Sequence, residues 1–179
     1  MNTPTSNLLL TGPPGCGKTT VTRKVIDALS DLRLRGFFTQ EMREDGRRVG
    51  FQLFGLSGFR ATLAHVDFDS DVRVSRYGVD VKVLEPLVEA EMPVDSTETD
   101  LYVIDEIGKI ECFSKAFISA MTDLLDCPVP VIATIAVRGR GFIEEVKQRS
   151  DIELLEVTND NRDHLPGEID ERTRNLLDQ

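Results

Sequence analysis

Apolar residues fall in short blocks of two kinds along this chain, and the two kinds alternate. Blocks such as "NLLL", "LYVI" and "PVPVIATI" are continuous and short, as in strands buried on both faces; others space their apolar residues three or four apart, as in helices packed on one side. The run from Asn7 to Thr11 predicts a first strand, and Val21, Val25, Ile26 and Leu29 predict the helix after it. "GFFTQEM" and "RRVGFQLFGL" are rich in aromatic and β-branched residues and flank "REDG", whose Asp45-Gly46 pair suits a tight hairpin turn; "RATLAHV" extends that meander. Residues 67–77 are polar with alternating charge and read as a surface loop. "VKVLEPLVEAEM" reads as a short helical crossover weakened by Pro86, and "PVDSTETD" as a polar link into the strand "LYVID". Next comes a helix capped by Ser114 and bearing Phe117, Ile118, Met121, Leu124 and Leu125. The strand "PVPVIATI", the helix "GFIEEVKQRS", the strand "IELLEV" and the terminal helix "GEIDERTRNLLD" complete the pattern. Strands alternating with helices predict an α/β fold: a three-layer sandwich with a mainly parallel sheet and an antiparallel hairpin extension.

With 179 residues and no internal repeat or linker, the pattern fits a single domain over 1–179. Acidic residues outnumber basic ones by 31 to 21, a net charge of −10 that opposes binding to a nucleic-acid backbone. Cys16, Cys112 and Cys127 are odd in number and far apart, so neither a disulfide framework nor a zinc site is indicated. Free thiols, the lack of a leader-like N-terminus and the lack of a run of about 18 apolar residues point to a soluble cytoplasmic protein with no membrane partner.

The link between the first strand and first helix changes the picture most. It reads "GPPGCGKTT", Gly12, Pro13, Pro14, Gly15, Cys16, Gly17, Lys18, Thr19 and Thr20, with the spacing G-x-x-x-x-G-K-T. Its glycines remove the Cβ atoms that would hold backbone N–H groups away from an anion, and the helix that follows offers its own N-terminal N–H groups and dipole. A loop of this kind wraps a phosphate. Lys18 would then reach the β- and γ-phosphates and Thr19 would offer its hydroxyl to Mg2+. Net charge is no obstacle, since the positive field is supplied locally.

The second half of such a site is expected at the end of "LYVIDEIGKIE", because open α/β sheets bind ligands at the carboxyl ends of their strands. Asp105 is placed to hold the hydrated Mg2+, and Glu106 to orient the attacking water and take its proton. Thr134 closes the neighbouring strand, either as a donor to the γ-phosphate or as a residue favoured by strand propensity. Arg138 and Arg140 in "VRGRG" either stabilise charge on the transferred phosphoryl group or form a solvated loop, and Lys109 is open in the same way. In "TNDNRDHLPG" a base could lie on the Arg162 guanidinium while Asn159 and Asn161 bond its edge; a turn built from Asn and Asp is the competing account. His65 and His164 show no metal-ligand pattern.

Together, "GPPGCGKTT", the pair "GFFTQEMRE" and "RRVGF", "YGVDV", "DEIGKIE" and "NRD" resemble the small nucleoside-triphosphatase family of archaea, bacteria and animals also called cancer-related nucleoside triphosphatases. The resemblance spans nearly the whole chain, with a shortened stretch between "YGVDV" and "DEIG". It implies a P-loop fold of the additional-catalytic-glutamate type and Mg2+-dependent hydrolysis of several nucleoside triphosphates (ATP, GTP, CTP and UTP) with loose base preference, by a monomer. Lys18, Thr19, Asp105 and Glu106 would carry the family's core roles. A small nucleotide or nucleoside kinase would share the loop, but no arginine-rich lid is evident and a glutamate after the metal-binding aspartate suits water activation. A non-catalytic nucleotide switch would need a partner surface that the sequence does not advertise.

Overall fold

The computed structural model describes residues 7–94 and 97–178. Residues 1–6, on which the leader expectation rests, and Asp95 and Ser96 of the polar link lie outside the described residues.

Strand β1 (Asn7–Thr11) is flanked on both sides by parallel neighbours, β8 (Val131–Ile135) and β9 (Ile152–Glu156). Strand β7 (Leu101–Ile107) lies beyond β8, and the first half of β2 (Leu34–Glu44) pairs with it in parallel through Leu34–Phe37. From there the chain meanders. The second half of β2, with β3 (Arg47–Gly55), β4 (Arg60–His65), β5 (Arg73–Val74) and β6 (Tyr77–Val79), forms an antiparallel extension, giving one sheet in the order β5-β6-β4-β3-β2-β7-β8-β1-β9.

The expected α/β architecture is therefore present, but the sheet is mixed rather than mainly parallel. Strand β2 causes this: it is long enough to serve both halves, and its hairpin at Asp45 (φ 46°) and Gly46 (φ 75°) adopts the left-handed backbone that a two-residue turn demands. Residues 67–77 also depart from a plain loop. Arg73–Val74 pairs with Tyr77–Val79 as a small ribbon, closed by Ser70 Oγ donating to the Val79 carbonyl at 2.7 Å.

Successive residues of the central strands are buried on alternate faces, so each strand feeds two cores. Leu9, Tyr102, Ile104, Val131 and Ala133 face helices α2 (Leu84–Glu91), α3 (Lys115–Asp126) and α4 (Phe142–Lys147). Leu8, Leu10, Leu101, Val103 and Ile132 face α1 (Lys18–Ala28) and α5 (Leu165–Leu177). Period-two alternation within apolar runs is what a sheet covered on both sides requires. Ser114 caps α3, accepting from the Phe117 N–H at 3.2 Å. Pro86 does not weaken α2: it sits in the first turn, where its missing N–H would have had no intrahelical acceptor. Among the described residues no helix is long and apolar enough to cross a membrane.

The extension is braced by its own chemistry. Phe38 and Phe54 stack across β2 and β3 with centroids 5.3 Å apart, capped by the Arg23 guanidinium from α1 on one ring and Arg60 on the other. This four-layer stack ties the hairpin to the helix that begins at the phosphate loop.

Candidate active site

The carboxyl ends of β1, β7, β8 and β9 share one edge of the sheet, and all but three of the expected site residues, Asp105 and Glu106 near the end of β7 and Thr134 near the end of β8, lie in loops or a helix start along it. The loop between β1 and α1 is tightly built. A Cβ on Gly12 (φ 154°) would sit 2.7 Å from both Cys16 Sγ and the Val157 carbonyl oxygen, so this glycine is required for packing rather than for access to a ligand. The Cys16 thiol is turned into the core on the α1 and α5 side, and its N–H donates to the Pro13 carbonyl at 3.2 Å. Pro13, Pro14 and Gly15 form the exposed rim. Lys18 folds back over the loop, its Nζ donating to the Gly12 carbonyl at 2.8 Å.

Across from the loop, the ladder between β7 and β8 loses register between Ile104 and Ile107, which lifts Asp105 and Glu106 out of regular pairing; the peptide joining them is cis. Asp105 is 1% exposed. Its Oδ1 accepts from the Thr134 hydroxyl at 2.6 Å, while its buried Oδ2 has no partner. Burial pushes the Asp105 carboxyl above its ordinary value, against the Thr134 hydroxyl, the Thr19 hydroxyl, the Thr39 N–H and the Lys18 charge, all of which favour the ionised form. Glu106 is half-buried and is also pushed up, first by burial and then by the Asp105 charge, with Lys18 opposing. Loop lysine, helix-start threonine and the two strand-end acids therefore act on one another.

Thr134 spends its hydroxyl proton on Asp105, not on the space where a terminal phosphate would lie; strand register, invisible in the sequence, decides this. Arg162 is brought to the loop, its Cδ 3.4 Å from where a Gly17 Cβ would be, and it lines a small cleft with Thr20, Val21 and Lys24. Asn161 braces its own loop. Its Oδ1 accepts from the Thr158 N–H at 2.8 Å and its Nδ2 donates to the Glu156 carbonyl at 2.8 Å, which leaves one lone pair and one N–H of the amide beyond its own loop. Asn159 lines a second cleft of about 320 Å3 with Pro13, Pro14 and Gly15. Arg138 and Arg140 are exposed and have no hydrogen-bond or ion-pair partner among the described residues, while Lys147 Nζ pins their loop by donating to the Val137 carbonyl at 2.8 Å. Lys109 is likewise exposed and unpaired among the described residues.

Sequence reasoning passed over Thr39, whose backbone serves Asp105, and Glu111, which is fully enclosed behind Glu106. The final residue of "DEIGKIE" was the one available signal for the latter. A more apolar cavity of about 440 Å3 lies at the opposite edge of the sheet, among Asn7, Leu101, Val131 and Leu176. Its charged lining, Arg172 and Glu153, is spent on an ion pair, unlike the lysine and acids gathered at the loop edge.

A family model described as NTPase matches residues 7–170. The chain belongs to that family. Nucleoside-triphosphatase THEP1 of Thermotoga sp. strain RQ2 is 40% identical over 162 residues, covering 90% of this chain and 92% of its own length. Two solved structures of the family share the fold. The crystal structure of THEP1 from the hyperthermophile Aquifex aeolicus superposes with a TM-score of 0.79 at 34% identity, covering 91% of this chain and 96% of its own. The solution structure of a human cancer-related nucleoside triphosphatase gives 0.78 at 35%, covering 94% and 97%. The expected shortening depends on the relative: the 162 positions aligned with the Thermotoga member are nearly filled by the 90% of this chain they cover, whereas the 181 positions aligned with the human member cover 91% of it and so include positions that this chain lacks.

Proposed function

We propose that this family member hydrolyses nucleoside 5′-triphosphates to nucleoside diphosphate and phosphate, with Glu106 orienting the attacking water and accepting its proton. One observation carries the reading: Glu106 stands beside Asp105 at the carboxyl end of β7, within the electrostatic reach of Lys18, with its basicity raised by burial and by Asp105. A carboxylate tuned upward in this way is a stronger base at neutral pH. The sheet order, with β8 between β1 and β7, supports the additional-catalytic-glutamate arrangement.

The unpartnered Oδ2 of Asp105 and the Thr19 hydroxyl are hard oxygen donors that fit Mg2+. Among the described residues no group of three or more His, Cys, Asp and Glu could hold a metal alone, which suits an ion shared with substrate phosphates and water. When bound, the ion supplies charge neutralisation at the β- and γ-phosphates. Lys18 leaves the Gly12 carbonyl for the phosphates, Thr134 fixes the Asp105 carboxylate, and Arg138 is the loop cation assigned to charge developing on the γ-phosphoryl group. Arg162 forms the base platform with Thr20 beside it, and Asn161 contributes by shaping the loop that carries Arg162. A platform that stacks without reading base edges gives loose preference among ATP, GTP, CTP and UTP. Three free cysteines suit a reducing cytoplasm.

Initial rates of phosphate release across ribo- and deoxyribonucleoside triphosphates, with Mg2+ and no acceptor, test the reading. Release from several bases is expected; nucleoside diphosphate formed only when an acceptor is added, with the phosphoryl group on that acceptor and no free phosphate, would make the protein a kinase.

A further inference from the structure

Behind the two strand-end acids sits a third. Glu111 is 5% exposed, lies in the short turn that follows β7, and has no part in the chemistry above. Its carboxylate accepts from its own N–H and from that of Gly108, while the turn is closed by Cys112 N–H donating to the Gly108 carbonyl at 3.1 Å and Ser114 N–H to the Glu111 carbonyl at 3.0 Å.

Gly108 shows what this arrangement does. The point where a Gly108 Cβ would sit lies 2.7 Å from Glu111 Oε2 and 3.3 Å from both Cγ and Oε1 of Glu106. The two acids thus share the bare face of one glycine, and their oxygens are at most about 6 Å apart, within the range over which like charges perturb one another. The backbone of Gly108 is not left-handed, so the absent side chain answers to space and not to conformation.

We propose that Glu111 is a positioning residue for Glu106: its enclosed carboxyl, seated on Gly108, forms the wall that holds the Glu106 side chain toward the phosphate loop. This rests on Glu106 being the group that orients the water. Burial and the Glu106 charge push the Glu111 carboxyl up to about 8, so at neutral pH the wall is a neutral acid that does not repel the approaching triphosphate. An amide has the same shape and charge, and its oxygen still accepts from the Gly108 N–H.

The test compares Glu111→Ala, Glu111→Gln, Gly108→Ala and Glu106→Gln by steady-state hydrolysis at pH 7 and by equilibrium binding of labelled nucleotide. Glu111→Ala is expected to lower kcat by about 10- to 100-fold at unchanged KM and affinity, as for a catalytic group displaced by a fraction of an ångström to an ångström. Glu111→Gln is expected to restore kcat to within about threefold, because shape and neutrality are kept. The atoms nearest a Gly108→Ala Cβ are the Glu111 carboxylate end and the Glu106 side chain from Cγ outward, and not backbone, so the variant should fold and reproduce the Glu111→Ala defect; if Glu111→Ala does not fold, this variant decides. Wild-type kcat in a folded Glu111→Ala or Gly108→Ala protein overturns the inference, as does a Glu111→Gln variant no better than Glu111→Ala. Undiminished turnover in Glu106→Gln overturns both the inference and the reading it rests on, whereas a defect confined to Glu106→Gln overturns the inference alone.

Discussion

Two buried glutamates, one in each half of the sheet, are treated in opposite ways. Glu91, at the end of α2 beneath the antiparallel extension, is completely enclosed and surrounded by donors: the Ser57 N–H and hydroxyl at 2.9 Å and 2.6 Å, and the Phe59 N–H at 3.3 Å. Glu111, beneath the carboxyl edge of the parallel half, is equally enclosed but faces other acids, and beside it Asp105 keeps an oxygen with no partner. The first pattern holds a turn between β3 and β4 in place. The second sets acids against one another at the edge where the proposed function puts a cation and phosphates. Burial alone therefore does not mark a functional acid; burial among other acids, beside a carboxylate oxygen left without a partner, does.

Substitutions should separate the two regions cleanly, starting where the effect is largest. Lys18→Ala removes the loop's cation and should abolish turnover and most nucleotide affinity while leaving the melting temperature without nucleotide nearly unaltered; near-normal phosphate release from the folded variant would break the assignment of the edge. Asp105→Asn should also stop most turnover but recover part of it at high Mg2+, since the amide keeps one oxygen as a weak metal ligand when its NH2 turns to donate to the Thr134 hydroxyl. No recovery across an Mg2+ titration would count against a metal role.

On the other side of the comparison, Glu91→Ala leaves the Ser57 and Phe59 N–H groups without an acceptor and should cost about 3 kcal/mol in urea unfolding, with kcat per folded molecule unaltered. A catalytic defect there would show that the extension takes part in the reaction. A further effect is a pH dependence. Because the folded state holds the Glu111 proton up to about pH 8 while the unfolded chain releases it near the ordinary glutamate value, unfolding between those limits releases a proton and stability falls as pH rises through that window. Glu111→Gln, measured without nucleotide or metal, should lose this part of the decline and gain on the wild type toward pH 8. Parallel unfolding profiles from pH 5 to 9 would contradict it. Asp105 and Glu106 on β7 face the same space and contribute a decline of the same sign in both proteins.

Local signals made much of this legible in advance. The loop after β1, the left-handed Asp45-Gly46 turn, the Ser114 cap and the acids ending β7 each depend on residues adjacent in sequence. What stayed hidden depends on register or on third neighbours. Thr134 reads as an ordinary strand threonine until β8 is set beside β7, and Asn161 reads as a base contact until its amide is seen to close its own turn. The ribbon of Arg73–Val74 with Tyr77–Val79 is too short to show a period. Glu111 is a charged residue in a three-residue turn, a setting in which sequence alone predicts exposure, and only the bare face of Gly108 explains how it fits.

The central claim is that Glu106 performs the water chemistry while its neighbours bind, and single-turnover phosphate release by Glu106→Gln, set beside equilibrium binding of labelled nucleotide, tests it most directly. The amide leaves Lys18, Thr19 and Asp105 in place, so affinity should be retained while the rate falls by ~10²–10⁴-fold and the triphosphate complex accumulates. Tight binding with a rate reduced less than about tenfold would leave Glu106 a bystander.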